Sequence, residues 1–142
     1  MAETDAIVLT FDVDSDDFTR AGEASSRLKR TLKQMGLPPD VIRRISIVMY
    51  EGEINMVIHA RGGKITVTVD NDTVTMVLAD VGPGIPDVEK AMRAGWSTAS
   101  EAVRQQGFGA GMGLPNMKKN ADVLKIDTTV GVGTTVPAVV RL

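Results

Sequence analysis

IRRISIVMYEGEINMVIHA, residues 42–60, is the stretch on which the fold turns. Its apolar residues, Ile42, Ile45, Ile47, Val48, Met49, Ile54, Met56, Val57 and Ile58, go almost all the way round a helix. A helix of that kind is expected to be largely buried. Yet Glu51, Asn55 and His59 recur at i, i+4 and i+8 and share one stripe. A buried carboxylate and carboxamide both need partners. The stripe is therefore either a hydrogen-bonded network at a helix–helix seam or the floor of a polar pocket. Glu53 lies off the stripe and is expected to be solvated. His59 by itself reads as a packed or capping histidine rather than a catalyst.

The flanking sequence supplies the frame. Ile7, Leu9, Phe11 and Val13 alternate as in a half-buried strand. Ser15, followed by Asp16 and Asp17, predicts a helix start, with Phe18, Ala21, Leu28, Leu32 and Met35 on its apolar side. Gly36 and Pro38-Pro39 end that helix, and the next is expected from Pro39 to Ala60. Strands are predicted at 64–70 and 73–80 around an Asn71-Asp72 turn, and a short helix at 86–94. A helix at 114–121 and strands at 123–129 and 134–141, joined by Gly131-Val132-Gly133, complete the expectation.

Composition removes several chemistries. The chain has no cysteine, which excludes disulfides, thiol nucleophiles and cysteine-zinc sites. A single histidine excludes a multi-histidine metal site within one chain, and no GxSxG elbow accompanies it. The formal net charge of -2 gives no global field for nucleic acid. No apolar run approaches the ~18 residues of a membrane span. MAETDAIVLT lacks the features of a signal peptide, so a cytoplasmic protein of one domain, residues 1–142, is expected.

Glycine placement narrows the rest. Seven of the fourteen glycines lie between Gly82 and Gly113. Within GFGAGMGLPN, residues 107–116, Gly107, Gly109, Gly111 and Gly113 occupy every second position. That spacing costs a strand its packing and a helix its stability, so it suits close backbone approach or movement. Neither a P-loop nor GxGxxG is present. The remaining option for phosphate is a glycine-rich lid, about Gly95 to Gly113, that runs into a helix N-terminus. DVGPGIP, residues 80–86, adds Asp80 at a strand end beside Gly82 and Gly84, a buried acceptor next to bare backbone.

In order, E-x-x-x-N on a helix, DxGxGI, GxGxGL and GTT before a last strand resemble the GHKL ATPase superfamily. Within it the chain most resembles the anti-sigma-factor serine kinases and switch kinases of bacterial partner-switching systems. The resemblance runs from about Val41 to Val140. It implies a Bergerat fold, an α/β two-layer sandwich with helices on one face of a mixed sheet. It implies ATP and Mg²⁺ as cofactors, with Asn55 binding the metal and Glu51 acting as general base. Asp80 would accept a hydrogen bond from the adenine amino group, and Gly82 and Gly84 would let backbone approach the nucleotide. Gly107 to Gly113 would form the lid hinge and the phosphate-facing helix start. Thr134 or Thr135 would lie near adenine. Tyr50 and Gly52 depart from the Ser and Ala often found beside this glutamate, and Arg104 is the only cation between Trp96 and Gly107. The implied activity is serine/threonine kinase action on a STAS-domain antagonist or scaffold protein. A sigma factor is a further implied partner, and a homodimer is compatible with the resemblance. The alternatives are a non-enzymatic ATP-binding anti-sigma regulator and a histidine-kinase-like catalytic domain acting in trans.

Overall fold

The computed structural model describes residues 6–14, 20–59, 62–85, 88, 92 and 113–142. Strand β1 (Ile7–Val13) leads into helices α1 (Glu23–Gln34) and α2 (Pro39–His59), then strands β2 (Gly63–Val69) and β3 (Thr73–Asp80). Helix α3 (Gly113–Asn120) precedes β4 (Val123–Leu124), β5 (Asp127–Thr129) and β6 (Gly133–Arg141). The sheet runs in the order β1-β2-β3-β6-β4, and β5 also pairs with β6. The helices share one core with the sheet face carrying Ile65, Val67, Val74, Met76, Ala138 and Val140. This is the α/β sandwich that the resemblance implied.

The sheet is antiparallel in every ladder among the described residues, rather than mixed. Two helices separate β1 from β2, so the chain reverses an extra time and returns antiparallel to its neighbour. The strand expected at 123–129 is divided. Its two parts nevertheless keep one register against β6, with Leu124 opposite Ala138 and Asp127 opposite Thr135. Between them the Lys125 N–H donates to the Pro137 carbonyl at 3.0 Å, but Pro137 has no N–H to return.

Helix α1 begins at Glu23, later than the Ser15 signal suggested, because Gly22 turns into the left-handed region at φ 92°. Residues 15–19 lie outside the described residues. Helix α2 runs through the core with Ile45, Val48 and Met49 fully buried. Gly52 sits mid-helix, where glycine costs about 1 kcal/mol relative to alanine. A Cβ there would collide with Leu78 Cδ2 and stand 3.3 Å from Met117 Cε, so close approach of α2 to β3 and α3 explains the residue. No helix among the described residues is long and apolar enough to cross a membrane.

Candidate functional site

The site starts where α2 passes under the first turn of α3. Glu51 Oε2 accepts a hydrogen bond from Asn116 Nδ2 at 2.9 Å. One turn along α2, the Asn55 carboxamide lies against Gly113, where a Cβ would stand 3.0 Å from Nδ2 and 3.1 Å from Oδ1. No hydrogen bond from a described residue engages the Asn55 carboxamide. An unused amide oxygen thus faces the start of a helix, where free N–H groups and the dipole favour anions.

The second part of the site continues the core face of the sheet. Val74, Met76 and Leu78 are buried on that face of β3, and Asp80 is the next residue on it. On β6 the same face carries Thr134, Val136, Ala138 and Val140. Asp80 Oδ1 accepts the Thr134 N–H at 2.9 Å. The Thr134 and Thr128 hydroxyls share a 2.9 Å hydrogen bond, and Thr128 Oγ1 accepts the Ile85 N–H at 2.8 Å. Burial pushes the Asp80 carboxyl above its ordinary pKa, opposed by the Thr134 N–H. Strand alternation brings Thr134 to Asp80 and turns Thr135 to the opposite face, separating two residues that the sequence left equivalent.

The Gly82–Gly84 loop is tied to the β5–β6 hairpin. Gly82 N–H donates to Val132 O at 3.1 Å, and Gly131 N–H donates to Pro83 O at 2.9 Å. Gly84 has φ 76°, and a Cβ on it would stand 2.7 Å from Thr129 O. Contact with the hairpin is sufficient reason for that glycine. Gly133 is equally constrained: a Cβ there would overlap the Asp80 carbonyl oxygen, with φ at 155°. The sequence did not single it out, although Gly-Thr-Thr marked its position.

The model of the histidine kinase-like ATPase domain family matches residues 15–140. The chain belongs to this family. It is 30% identical over 121 residues to the serine/threonine-protein kinase RsbT of Bacillus subtilis (strain 168), covering 82% of this chain and 85% of that protein. It is 35% identical over 100 residues to the anti-sigma F factor of Caldanaerobacter subterraneus subsp. tengcongensis, covering 67% and 66%. The anti-sigma F factor of Bacillus licheniformis is 31% identical over 111 residues, covering 74% and 73%.

In this histidine kinase-like ATPase, Glu53 overturns one expectation. It is 3% exposed rather than solvated. Its carboxylate accepts the N–H groups of Gly22 at 3.1 Å, Ala24 at 3.1 Å and Ser25 at 3.0 Å, and the Ser25 hydroxyl at 2.8 Å. The first amides of a helix lack internal partners, and Gly22 has no side chain with which to cap them. A carboxylate from α2 fills that role and pins the start of α1. The sequence carried no local signal for it, because donors and acceptor are about thirty residues apart. Asn116 was also missed, although it closes the glycine-rich stretch and holds Glu51.

Several expected features fall outside the described residues: Gly107, Gly109, Gly111, Arg104, Trp96 and most of the lid. Of the short helix at 86–94 only Val88 and Met92 are described, with Met92 N–H donating to Val88 O at 3.0 Å. The His59 side chain is likewise outside them.

Proposed function

We propose that this chain is an ATP-dependent serine/threonine protein kinase of the partner-switching type, cytoplasmic, which phosphorylates a STAS-domain antagonist or scaffold protein. The observation that carries this reading is the grouping of Glu51 and Asn55 under the start of α3. It is supported by Asp80 and Thr134 on the same face of the sheet and by the kinase named among the relatives.

The residues present fit ATP and Mg²⁺. Asn55 offers a hard oxygen that no described residue uses, and Gly113 keeps the space above it clear. A single neutral oxygen suits an ion that retains waters and shares phosphate oxygens. Asp80 offers its second carboxylate oxygen to an exocyclic amino group, while Thr134 N–H holds the first. When bound, MgATP would supply the γ-phosphoryl group, with ADP as the leaving group and the metal offsetting phosphate charge. Glu51 accepts the proton of the incoming hydroxyl, and Asn116 fixes the carboxylate for that transfer. Gly107, Gly109 and Gly111 are assigned with Gly113 to the phosphate-facing lid and helix start on the strength of the family resemblance.

The anti-sigma names among the relatives support a second role, sequestration of a sigma factor by the nucleotide-bound protein. Single-turnover transfer from γ-labelled ATP to purified STAS-domain protein tests the main reading. Acid-stable label on serine or threonine is the expected result. Acid-labile label would point to a histidine acceptor, and binding of MgATP without transfer would leave only the regulator.

A further inference from the structure

Beside the candidate site, α1, Leu37 and α2 line an open groove of about 670 Å³. Its floor is apolar and includes Ile42 and Ile47, and its rim carries Lys29 and Lys33 from α1 and Arg43 from α2. No ion pair with a described residue neutralises any of these three cations. They lie together on a chain whose net charge is -2. Tyr50, 41% exposed, stands at the groove's far end and packs over Gly22, where a Cβ would be 3.2 Å from its ring. Ser46 lines both this groove and the adjoining 560 Å³ depression, and its Oγ has no partner among the described residues.

The groove ends on Glu51. Residues 39, 43, 46, 47 and 50 form one stripe of α2 along it, while 51 and 55 form the stripe under α3. Glu51 is where the two stripes meet, so an occupant of the groove is led to the carboxylate that Asn116 holds. From Arg43 to Glu51 is eight residues of helix, about 12 Å at the usual rise. An extended chain covers that distance in about four residues.

We infer that this groove docks an acidic segment of the phosphoacceptor protein, with acidic side chains about four residues from the serine or threonine that meets Glu51. The inference rests on the kinase reading for its acceptor hydroxyl, but the docking can be measured separately. An apolar floor with a cationic rim that no described residue pairs favours a segment that mixes apolar and acidic residues over a neutral or basic one. Long-range attraction of this kind weakens as salt rises.

The test uses the full chain and three fluorescein-labelled 15-residue peptides. Each has a central serine in an otherwise identical alanine-rich sequence, with aspartate, asparagine or lysine at three to five residues on both sides. Anisotropy measures binding with MgATP present, and label from γ-labelled ATP measures transfer. The aspartate peptide is expected to bind at least about tenfold tighter than the asparagine peptide at low salt, with the lysine peptide weakest. The triple variant Lys29→Glu, Lys33→Glu, Arg43→Glu should erase that order while its calorimetric ATP titration stays unchanged. The corresponding triple glutamine variant, milder for folding, should reduce it. Equal binding of the aspartate and asparagine peptides overturns the inference, as does a preference that survives both triple variants. An aspartate preference lost in the variants upholds the groove whether or not the peptide takes label; absence of label on the STAS-domain protein itself is what refutes the kinase reading. Transfer that ignores peptide charge upholds the kinase and refutes the groove. If the glutamate variant changes from dimer to monomer in sedimentation and no peptide preference exists, the groove belongs to a second copy of the chain and the inference falls.

Discussion

Glu51 and Glu53 stand two residues apart on one helix and meet opposite surroundings. Glu53 points into the α1–α2 seam, is almost fully buried, and accepts three backbone N–H groups and a hydroxyl. Glu51 lines the groove next to α3, is half-buried, and among the described residues accepts from one side-chain amide. A carboxylate surrounded by fixed donors is a structural cap. One with a single tether and open space beside it can exchange a proton with something that arrives. The degree of hydrogen-bond satisfaction, rather than residue type or helix position, separates the two roles.

The sharpest way to break that contrast is to remove basicity at Glu51. Glu51→Gln can still accept from Asn116, so its urea midpoint should stay near that of the wild type. Phosphoryl transfer should fall by roughly 10²–10⁴-fold, the usual share of a general base. A single-turnover rate equal to that of the wild type would end the base assignment.

Glu53 should answer in the opposite way. Glu53→Ala strands the first amides of α1 without an acceptor in a buried seam. The expected loss is about 3 kcal/mol of unfolding free energy, measured by urea titration, because hydrogen bonds to a charged group are the costly ones to lose. Glu53→Gln should lose less, since its carbonyl retains part of the cap. A stability loss at Glu51 that matches the loss at Glu53 would erase the distinction.

Asn116 tests whether orientation of Glu51 matters apart from its basicity. Asn116→Ala leaves the carboxylate in place but removes its tether. Transfer at saturating ATP should fall roughly tenfold, about the worth of one hydrogen bond to a charged group, with calorimetric ATP affinity held. Falling affinity at unchanged transfer would instead make Asn116 a nucleotide contact.

Asp80 is read through the pH dependence of a modest stability effect. Burial raises its folded-state pKa, so folding favours the protonated carboxyl. That contribution is complete below the unfolded carboxylate pKa near ~3.9 and is lost as pH rises through the higher folded value. Asp80→Asn has no such titration, and its amide oxygen can still accept the Thr134 N–H. Relative to the wild type it should therefore gain stability across that window, while binding ATP more weakly at neutral pH. Urea titrations at pH 4 and pH 8, with calorimetry at pH 8, measure both. A stability difference that is independent of pH would show that burial of the charge carries no cost.

Much of the frame was legible because it depends on local pattern. Apolar alternation located β3 at the expected residues, and proline at one end and glycine at the other bounded α2 to within one residue. The E-x-x-x-N spacing placed Glu51 and Asn55 on one stripe, because helical periodicity is a property of the backbone alone. What could not be read depended on residues distant along the chain. The break in the strand at 123–129 comes from Pro137 across the ladder, not from anything within the strand. The choice of Thr134 over Thr135 beside Asp80 comes from β3–β6 register.

Sequence by itself thus located most strands and α2, identified the family, and marked the polar residues Glu51, Asn55, Asp80 and Thr134 or Thr135. Only tertiary structure decided which carboxylate became a cap and which stayed open. That outcome depends on where α1 begins, on a glycine that cannot cap its own helix, and on α3 bringing Asn116 across to Glu51. Periodicity is set by neighbours along the chain, whereas burial and hydrogen-bond satisfaction are set by neighbours in space.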